Sequence, residues 1–298
     1  MRLYPQLKSI ICVAGLCFST NFLLAQHRLL PQIQQTAESI HAQIGISALI
    51  IETGDTINFH QEQRFPMQST YKFPIAMAIL HLVDQGKFTL EQKITINQSE
   101  IIPRGASVIR EKYPQGASLT LDELLRLNIA ESDGTACDVL IRLAGGTQKV
   151  QDYINSIGIK DMRISTTEMV QVSDDWTQYQ NWSTPNAMTG LLKTFYKGNV
   201  LSKNSQSKLI EWMIGSVPGN KRLKGGLPAN AIVAHKPGTS GTFRGLTRAT
   251  NDVGIITLPD GNHLAISVFV SDAYGTTQER EGVIAAITKI IWDYAGNK

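Results

Sequence analysis

The sequence predicts a mixed α/β chain of the α+β kind, with an antiparallel five-stranded sheet flanked by helices and an all-helical lobe inserted between its strands. Three observations carry this. Runs of β-branched residues bounded by turn formers are confined to residues 44–60 and 231–271. The stretch from Ser69 to about Gly215 is instead punctuated by helix caps. A last amphipathic stretch, Gln278 to Tyr294, closes the chain as a helix.

Taken in order, Ile44 to Glu52 reads as a strand, and Thr53-Gly54-Asp55 turns it into a second one from Thr56 to His60. An apolar helix follows Ser69 and stops near Gly86. Thr120 with Glu123 forms a capping box that opens a helix over Leu121 to Ala130. A break at Glu131-Ser132-Asp133-Gly134 precedes another over Thr135 to Leu143, stopped by Gly145-Gly146. Thr184-Pro185 starts a helix that ends before Gly198. Strands return at Ala231 to Lys236, Asp252 to Leu258 and Leu264 to Ser271, the last two joined by the turn Pro259-Asp260-Gly261. This order assigns residues 26–65 and 216–298 to an α/β lobe and 66–215 to a helical lobe, with a cleft between them as the expected site.

Composition narrows the function. A chain of 298 residues with 42% hydrophobic and 18% charged residues can bury a large core and is not disordered. The formal charge is +3 and no Lys/Arg run exceeds two, which argues against a nucleic-acid partner. Residues 1–25 read as an export signal: Arg2 and Lys8 lead an apolar stretch from Ile10 to Leu24, interrupted by Ser19-Thr20-Asn21, and Leu23-Leu24-Ala25 offers a cleavage site. Cleavage would remove Cys12 and Cys17 and leave Cys137 alone, so no internal disulfide, no membrane anchor and a periplasmic or secreted location are expected. No CxxC and no His pair at i, i+4 point to a metal, and no cofactor is expected.

Three short patterns carry the chemistry: Ser69-Thr70-Tyr71-Lys72, Ser132-Asp133-Gly134 and Lys236-Pro237-Gly238. None is specific alone, since Ser205-Gln206-Ser207-Lys208 is a second SxxK and Ser173-Asp174 and Ser271-Asp272 are further Ser-Asp pairs. Their context differs. Ser69 opens an apolar helix, and the i, i+3 spacing brings Lys72 within reach of its hydroxyl beside the helix N–H groups. Ser205 and Lys208 lie in the polar run Ser202 to Lys208, where an N-cap and a solvated face are the expected roles. Ser132 projects from a turn, with Asp133 expected to hold that turn. Lys236 brings a cation to the end of a strand followed by Thr239 and Ser240. A serine nucleophile, a lysine neighbour, a second serine and a strand lysine make an acyl-transfer site.

In this order, and with Glu168 between the second and third patterns, the chain resembles the class A serine β-lactamases and their penicillin-binding relatives over nearly its whole mature length. Phe65-Pro66-Met67-Gln68, Thr167-Glu168 and Tyr179-Gln180-Asn181-Trp182 look like the PER-type branch with its enlarged Ω-loop. The resemblance implies a β-lactamase/transpeptidase-like fold and hydrolysis of small-molecule β-lactams by a monomer. It also implies Ser69 as nucleophile, Lys72 as its base or proton carrier, Ser132 as proton donor to the lactam nitrogen and Glu168 as activator of the hydrolytic water. The backbone N–H groups of Ser69 and Thr239 would form the oxyanion hole. Lys236, Thr239, Ser240 and Arg222 would receive the substrate carboxylate.

Three positions depart from the family's pattern. Gly134 replaces an Asn, Pro237 a Thr or Ser, and Val172 an Asn that helps to hold the deacylating water. Each loses one neutral hydrogen bond, about 0.5–1.5 kcal/mol, so a weakened or substrate-shifted enzyme is expected. Two alternatives remain open: a D-Ala-D-Ala peptidase of the penicillin-binding kind, against which Glu168 speaks, and a non-hydrolytic β-lactam sensor. Cys137 is expected to fill core space, His235 to pack on the sheet, and Trp176, Tyr179 and Trp182 to anchor the Ω-loop.

Overall fold

A computed structural model describes residues 29–198 and 200–296. The expected export signal lies outside these residues. A first helix, α1 (29–37), precedes the hairpin β1 (Gln43–Ile50) and β2 (Thr56–Phe59). The other long strands come from the far end of the chain: β8 (Val233–Thr239), β10 (Leu246–Thr257) and β11 (His263–Ala273). They form an antiparallel sheet in the order β2-β1-β11-β10-β8. These are the five expected strands.

A sixth, β9 (Thr242–Phe243), pairs with the start of β10. The sequence hides it because its turn is Arg244-Gly245, both at positive φ (50° and 81°), and only the glycine is a usual turn former. β10 also begins six residues before the expected Asp252. Its first half is polar, yet Thr247, Arg248, Thr250 and Asn251 are all buried, because they support the site rather than an apolar core.

The sheet separates two apolar layers. On one face, Ile33 and Ala37 of α1 and Val283, Ile284, Ile287 and Ile291 of α10 (Thr277–Gly296) pack on Ile46, Ile266 and Val268. Each such side chain stabilises the fold by about 1.5–3 kcal/mol relative to exposure. On the other face lie α8 (Pro185–Tyr196) and α2 (Lys72–Asp84). Helix α2 is buried on every side from Lys72 to Leu80, which makes it the axis of the helical part.

Around α2 stand α4 (Leu121–Ala130), α5 (Gly134–Ala144), α6 (Thr147–Ser156) and α9 (Lys203–Ile214). The Thr120–Glu123 capping box and the Thr184 cap with Pro185 in the first turn stand where the sequence places them. Short helices α3 (Val108–Lys112) and α7 (Glu168–Gln171) complete the set. Two small sheets, β3-β7-β6 (Phe65–Pro66, Trp182–Ser183, Met162–Arg163) and β4-β5 (Lys93–Asn97, Gly116–Thr120), correct the expectation that the inserted lobe is all-helical. The strands of the first are two residues long and leave no pattern, whereas Ile94-Thr95-Ile96 of β4 is a short β-branched alternation that the helix caps on either side overshadow.

Candidate active site

The chain enters α2 through a 3-10 turn, Gln68–Tyr71, so Ser69 sits three residues before the α-helix proper. Lys72 is 1% exposed, and its Nζ donates to Ser69 Oγ at 2.9 Å and also to Glu168 Oε1. One ammonium therefore touches both the hydroxyl and the carboxylate. Burial disfavours the charge on Lys72, but attraction to Glu168 and the hydrogen bond between them prevail and raise its pKa above the ordinary lysine value.

Glu168 is placed by the start of α7. Thr167 caps that helix, and Asp138 on α5 accepts the N–H groups of Glu168 (2.7 Å) and Met169 (2.8 Å). Sequence reading missed Asp138, because its partners lie thirty residues downstream and leave no local pattern. Burial pushes its carboxyl up to about 6. A raised folded pKa means that this group's stabilisation is complete below the unfolded value near 3.8 and is lost as pH rises through 6. Wild-type Tm minus that of Asp138→Asn is therefore expected to fall by about 5 °C between pH 4 and 7. A difference that stays flat in thermal melts across that range would show that Asp138 does not titrate there.

Ser132 occupies the break between α4 and α5 at φ +58°, a conformation unfavourable for a non-glycine residue. Asp133 caps α5 by accepting from Ala136 N and also receives Ile109 N and Ser107 Oγ, so the expected turn role extends to tying the loop before α3. Lys236 Nζ donates to Ser132 Oγ at 2.9 Å and to Pro237 O at 3.0 Å. Burial, followed by repulsion from Lys72, drives the Lys236 pKa well below the ordinary lysine value.

Gly134 is fully packed. A Cβ there would stand 2.4 Å from Ile102 Cδ1 and 3.4 Å from Glu168 Cγ, and its N–H donates to Ala106 O. Ile102 thus fills part of the space an Asn would need. Gly134→Asn is expected to cost about 1–3 kcal/mol of stability rather than to improve activity. A chemical melt paired with steady-state kinetics checks this, and unchanged stability with faster turnover would contradict it.

Strand β8 supplies the opposite wall. Just past its end, the Ser240 N–H bonds to Ala249 O of the neighbouring β10. By the alternation of an antiparallel ladder, the N–H of Thr239, and the one that Pro237 lacks, point to the free outer edge. Pro237 therefore costs the sheet no hydrogen bond, which is why the strand runs through it. A Cβ on Gly238 would lie 3.0 Å from Ser69 N and 2.7 Å from Met67 O, so β8 passes in direct contact with the turn that carries Ser69.

Arg222 is 4% exposed and stands behind this strand. It donates to Gly238 O (3.0 Å), Asn251 O (2.9 Å), Thr239 Oγ1 (2.6 Å) and Glu281 (3.1 Å). It reaches the site through Thr239 rather than by lining the cavity. The Ser240 hydroxyl is likewise tied to Ala249, whose N–H it accepts at 3.0 Å.

These walls enclose a cavity of about 410 Å³ lined by Ser69, Lys72, Ser132, Glu168, Thr239 and Ser240, with Gln68, Arg104 to Ala106, Gln171, Val172, Asp175, Gln178 and Gly241. Lys236 meets it through Ser132. On the loop that closes it, Gln178 accepts from Gln68 (2.7 Å) and donates to Asp175 O (2.6 Å). Asp175 pairs with Arg248 at 2.5 Å, and Arg248 lies under the Trp176 ring (4.2 Å) and donates to Tyr179 Oη (3.3 Å). Trp176 and Tyr179 thus anchor the loop, and Trp182 stacks under Arg64 at 4.0 Å. Val172 turns toward Gly105 across the cavity.

The second SxxK does not assemble. Ser205 Oγ donates to Asp84 (2.6 Å) and Lys208 pairs with Asp122 (2.6 Å), while Ser202, not Ser205, is the N-cap of α9. Cys137 is buried against Tyr71. His235 does more than pack: its Nδ1 meets Asp252, 2.8 Å away, in a fully buried pair that only the strand register could reveal. Among the described residues, no group of three or more His, Cys, Asp or Glu residues is placed to hold a metal ion.

A family model described as the beta-lactamase enzyme family matches residues 28–295. The beta-lactamase VEB-1 of Pseudomonas aeruginosa is 41% identical over 97% of this chain and 98% of its own. The extended-spectrum beta-lactamase PER-1 of the same organism is 38% identical over 93% and 91%. Among solved structures, a beta-lactamase from Chitinophaga pinensis is 46% identical with a TM-score of 0.88, covering 90% of this chain and 99% of its own. The TLA-1 extended-spectrum beta-lactamase is 42% identical with a TM-score of 0.89, over 91% and 99%.

Proposed function

This chain belongs to the beta-lactamase enzyme family and is a class A enzyme that hydrolyses β-lactams and so confers antibiotic resistance, and from that premise we propose that it works through an ester on Ser69 which Glu168 then clears. The observation that carries this is the Lys72 ammonium, bonded at once to the Ser69 hydroxyl and the Glu168 carboxylate. It holds the hydroxyl and the carboxylate on one ammonium, the proximity that a bridging hydrolytic water requires.

Ser69 Oγ adds to the lactam carbonyl, and its proton passes into the Lys72–Glu168 couple. Because Lys72 rests charged, the carboxylate is the group with room for that proton. The oxyanion forms between the N–H groups of Ser69 and Thr239, held together by the contact at Gly238. Collapse breaks the C–N bond, and the nitrogen takes the Ser132 hydroxyl proton, which the neighbouring Lys236 replaces. Lys236, Thr239 and Ser240 receive the substrate carboxylate, with Arg222 steadying Thr239 from behind. The proton that Glu168 took from Ser69 passes on through Lys72 to make good the one that Lys236 gave, so the carboxylate is ionised again. It takes a proton from water as that water attacks the ester, and hands it to Ser69 Oγ as the ester C–O bond breaks.

The wider reading follows the same lines. The helices around α2 act as one lobe and the sheet with its terminal helices as the other. Residues 1–25 act as an export signal cleaved after Ala25, placing the enzyme in the periplasm or outside the cell. No described helix is long and apolar enough to cross a membrane. The enzyme is proposed to act as a monomer. The purified protein, mixed with a chromogenic cephalosporin and followed by absorbance and intact mass, is expected to turn over repeatedly without a lasting adduct. One equivalent of colour with a persistent adduct on Ser69 would make it a penicillin-binding acylation target instead.

A further inference from the structure

Of the four charged side chains that line the cavity, three are ion-paired. Lys72 is paired with Glu168, and Asp175 on the loop wall is paired with Arg248. Arg104, on the loop between β4 and α3 that forms the facing rim, lines the same cavity. Among the described residues, no carboxylate lies within ion-pair distance of it. It bonds instead to a backbone carbonyl, Val172 O, which its Nε holds across the cavity mouth. That bond spends the one inner donor of the guanidinium and fixes its plane, leaving the two terminal nitrogens for a ligand. A second cation stiffens the rim from behind: Arg110 donates to Ile102 O (3.2 Å) and Gly105 O (2.7 Å). The rim is therefore a positioned, uncompensated cation with a fork geometry suited to a carboxylate.

Substrate chemistry decides which carboxylate. In a β-lactam, the ring carboxylate and the acyl arm leave the scissile amide in opposite directions. Resting on the functional reading above, the ring carboxylate goes to Lys236, Thr239 and Ser240. The acyl arm is then aimed at the far end of the cavity, between Arg104 and the 168–178 wall. We infer that Arg104 is a specificity residue that favours β-lactams with a second carboxylate on the acyl arm over those with a neutral arm.

An exposed charge pair of this sort is worth a few-fold in rate. The test compares kcat/KM for α-carboxybenzylpenicillin with that for benzylpenicillin, which differ only by the second carboxylate. The ratio of the two is expected to fall about fivefold in Arg104→Gln, to recover in part in Arg104→Lys, and to shrink in the wild type as salt is raised. A ratio that Arg104→Gln leaves unchanged, whether or not both substrates slow together, would reduce Arg104 to a latch for the loop and overturn the inference. A wild-type protein that turned over neither penicillin would remove the hydrolase reading itself, so the two failures are distinguishable.

Discussion

Glu168→Gln is expected to accept a β-lactam and then fail to release it. The glutamine keeps the size of the side chain and its place after the Thr167 cap, and the two N–H bonds to Asp138 are made by backbone and survive the change. What disappears is the basic oxygen that would take a proton from water, and general-base catalysis of this kind is worth about 10²–10⁴-fold. Lys72 changes as well. With the carboxylate gone, burial acts on it with nothing of equal size to oppose it, so its pKa falls and it becomes able to take the Ser69 proton itself. Acylation should therefore slow far less than deacylation. Mixing the variant with a cephalosporin should give one equivalent of ring opening, then an adduct on Ser69 that intact-protein mass spectrometry detects for many turnovers of the wild type. Steady turnover at the wild-type rate would remove Glu168 from the mechanism. Loss of the burst itself would mean that Glu168, rather than Lys72, is indispensable in the first step too.

Much of the frame was legible because local rules and tertiary structure agree. The Thr120–Glu123 box, the Thr184-Pro185 start and the Pro259-Asp260-Gly261 turn involve neighbours in sequence, and each is found where it was expected. Ser69 and Lys72 were legible for the same reason, since i, i+3 spacing makes them meet. What the sequence withheld is long-range. Asp138 on Glu168, Gln178 on Gln68, Arg248 under Trp176 and Asp252 on His235 join residues far apart in the chain, and no periodicity marks them. Arg222 illustrates the limit from the other side. Its position suggests a part in receiving the substrate carboxylate, while its burial behind β8, its bonds to two carbonyls and its reach to Thr239 Oγ1 are long-range features that the sequence does not display. Glycine at 134 reads in sequence as a lost amide, but in space it is the position that Ile102 and Glu168 close around.

The second large effect concerns Gly238, which has no side chain and no titratable group. Between β8 and the turn that carries Ser69 there is room for a hydrogen and not for a methyl: a Cβ would meet Met67 O at 2.7 Å, with Ser69 N and Thr70 N each at 3.0 Å. All three are backbone atoms and cannot swing aside like the end of a flexible side chain. The strand is not free to retreat either, because Arg222 holds Gly238 O and Asn251 O, and Asn251 Nδ2 holds Pro66 O and Met67 O. Gly238→Ala must therefore part the two segments whose outward N–H groups, those of Ser69 and Thr239, are proposed to face one oxyanion. Losing the aim of one such donor costs about 10²–10³-fold in rate. The overpacking costs about 1–3 kcal/mol in stability, a lowering of Tm by several degrees that leaves the protein folded for assay. Both chemical steps pass through an oxyanion, so rapid-mixing measurements should show acylation and deacylation slowed together, unlike the selective block in Glu168→Gln. If only the melting temperature moves and both rate constants stay near wild type, the strand and turn do not form the oxyanion hole.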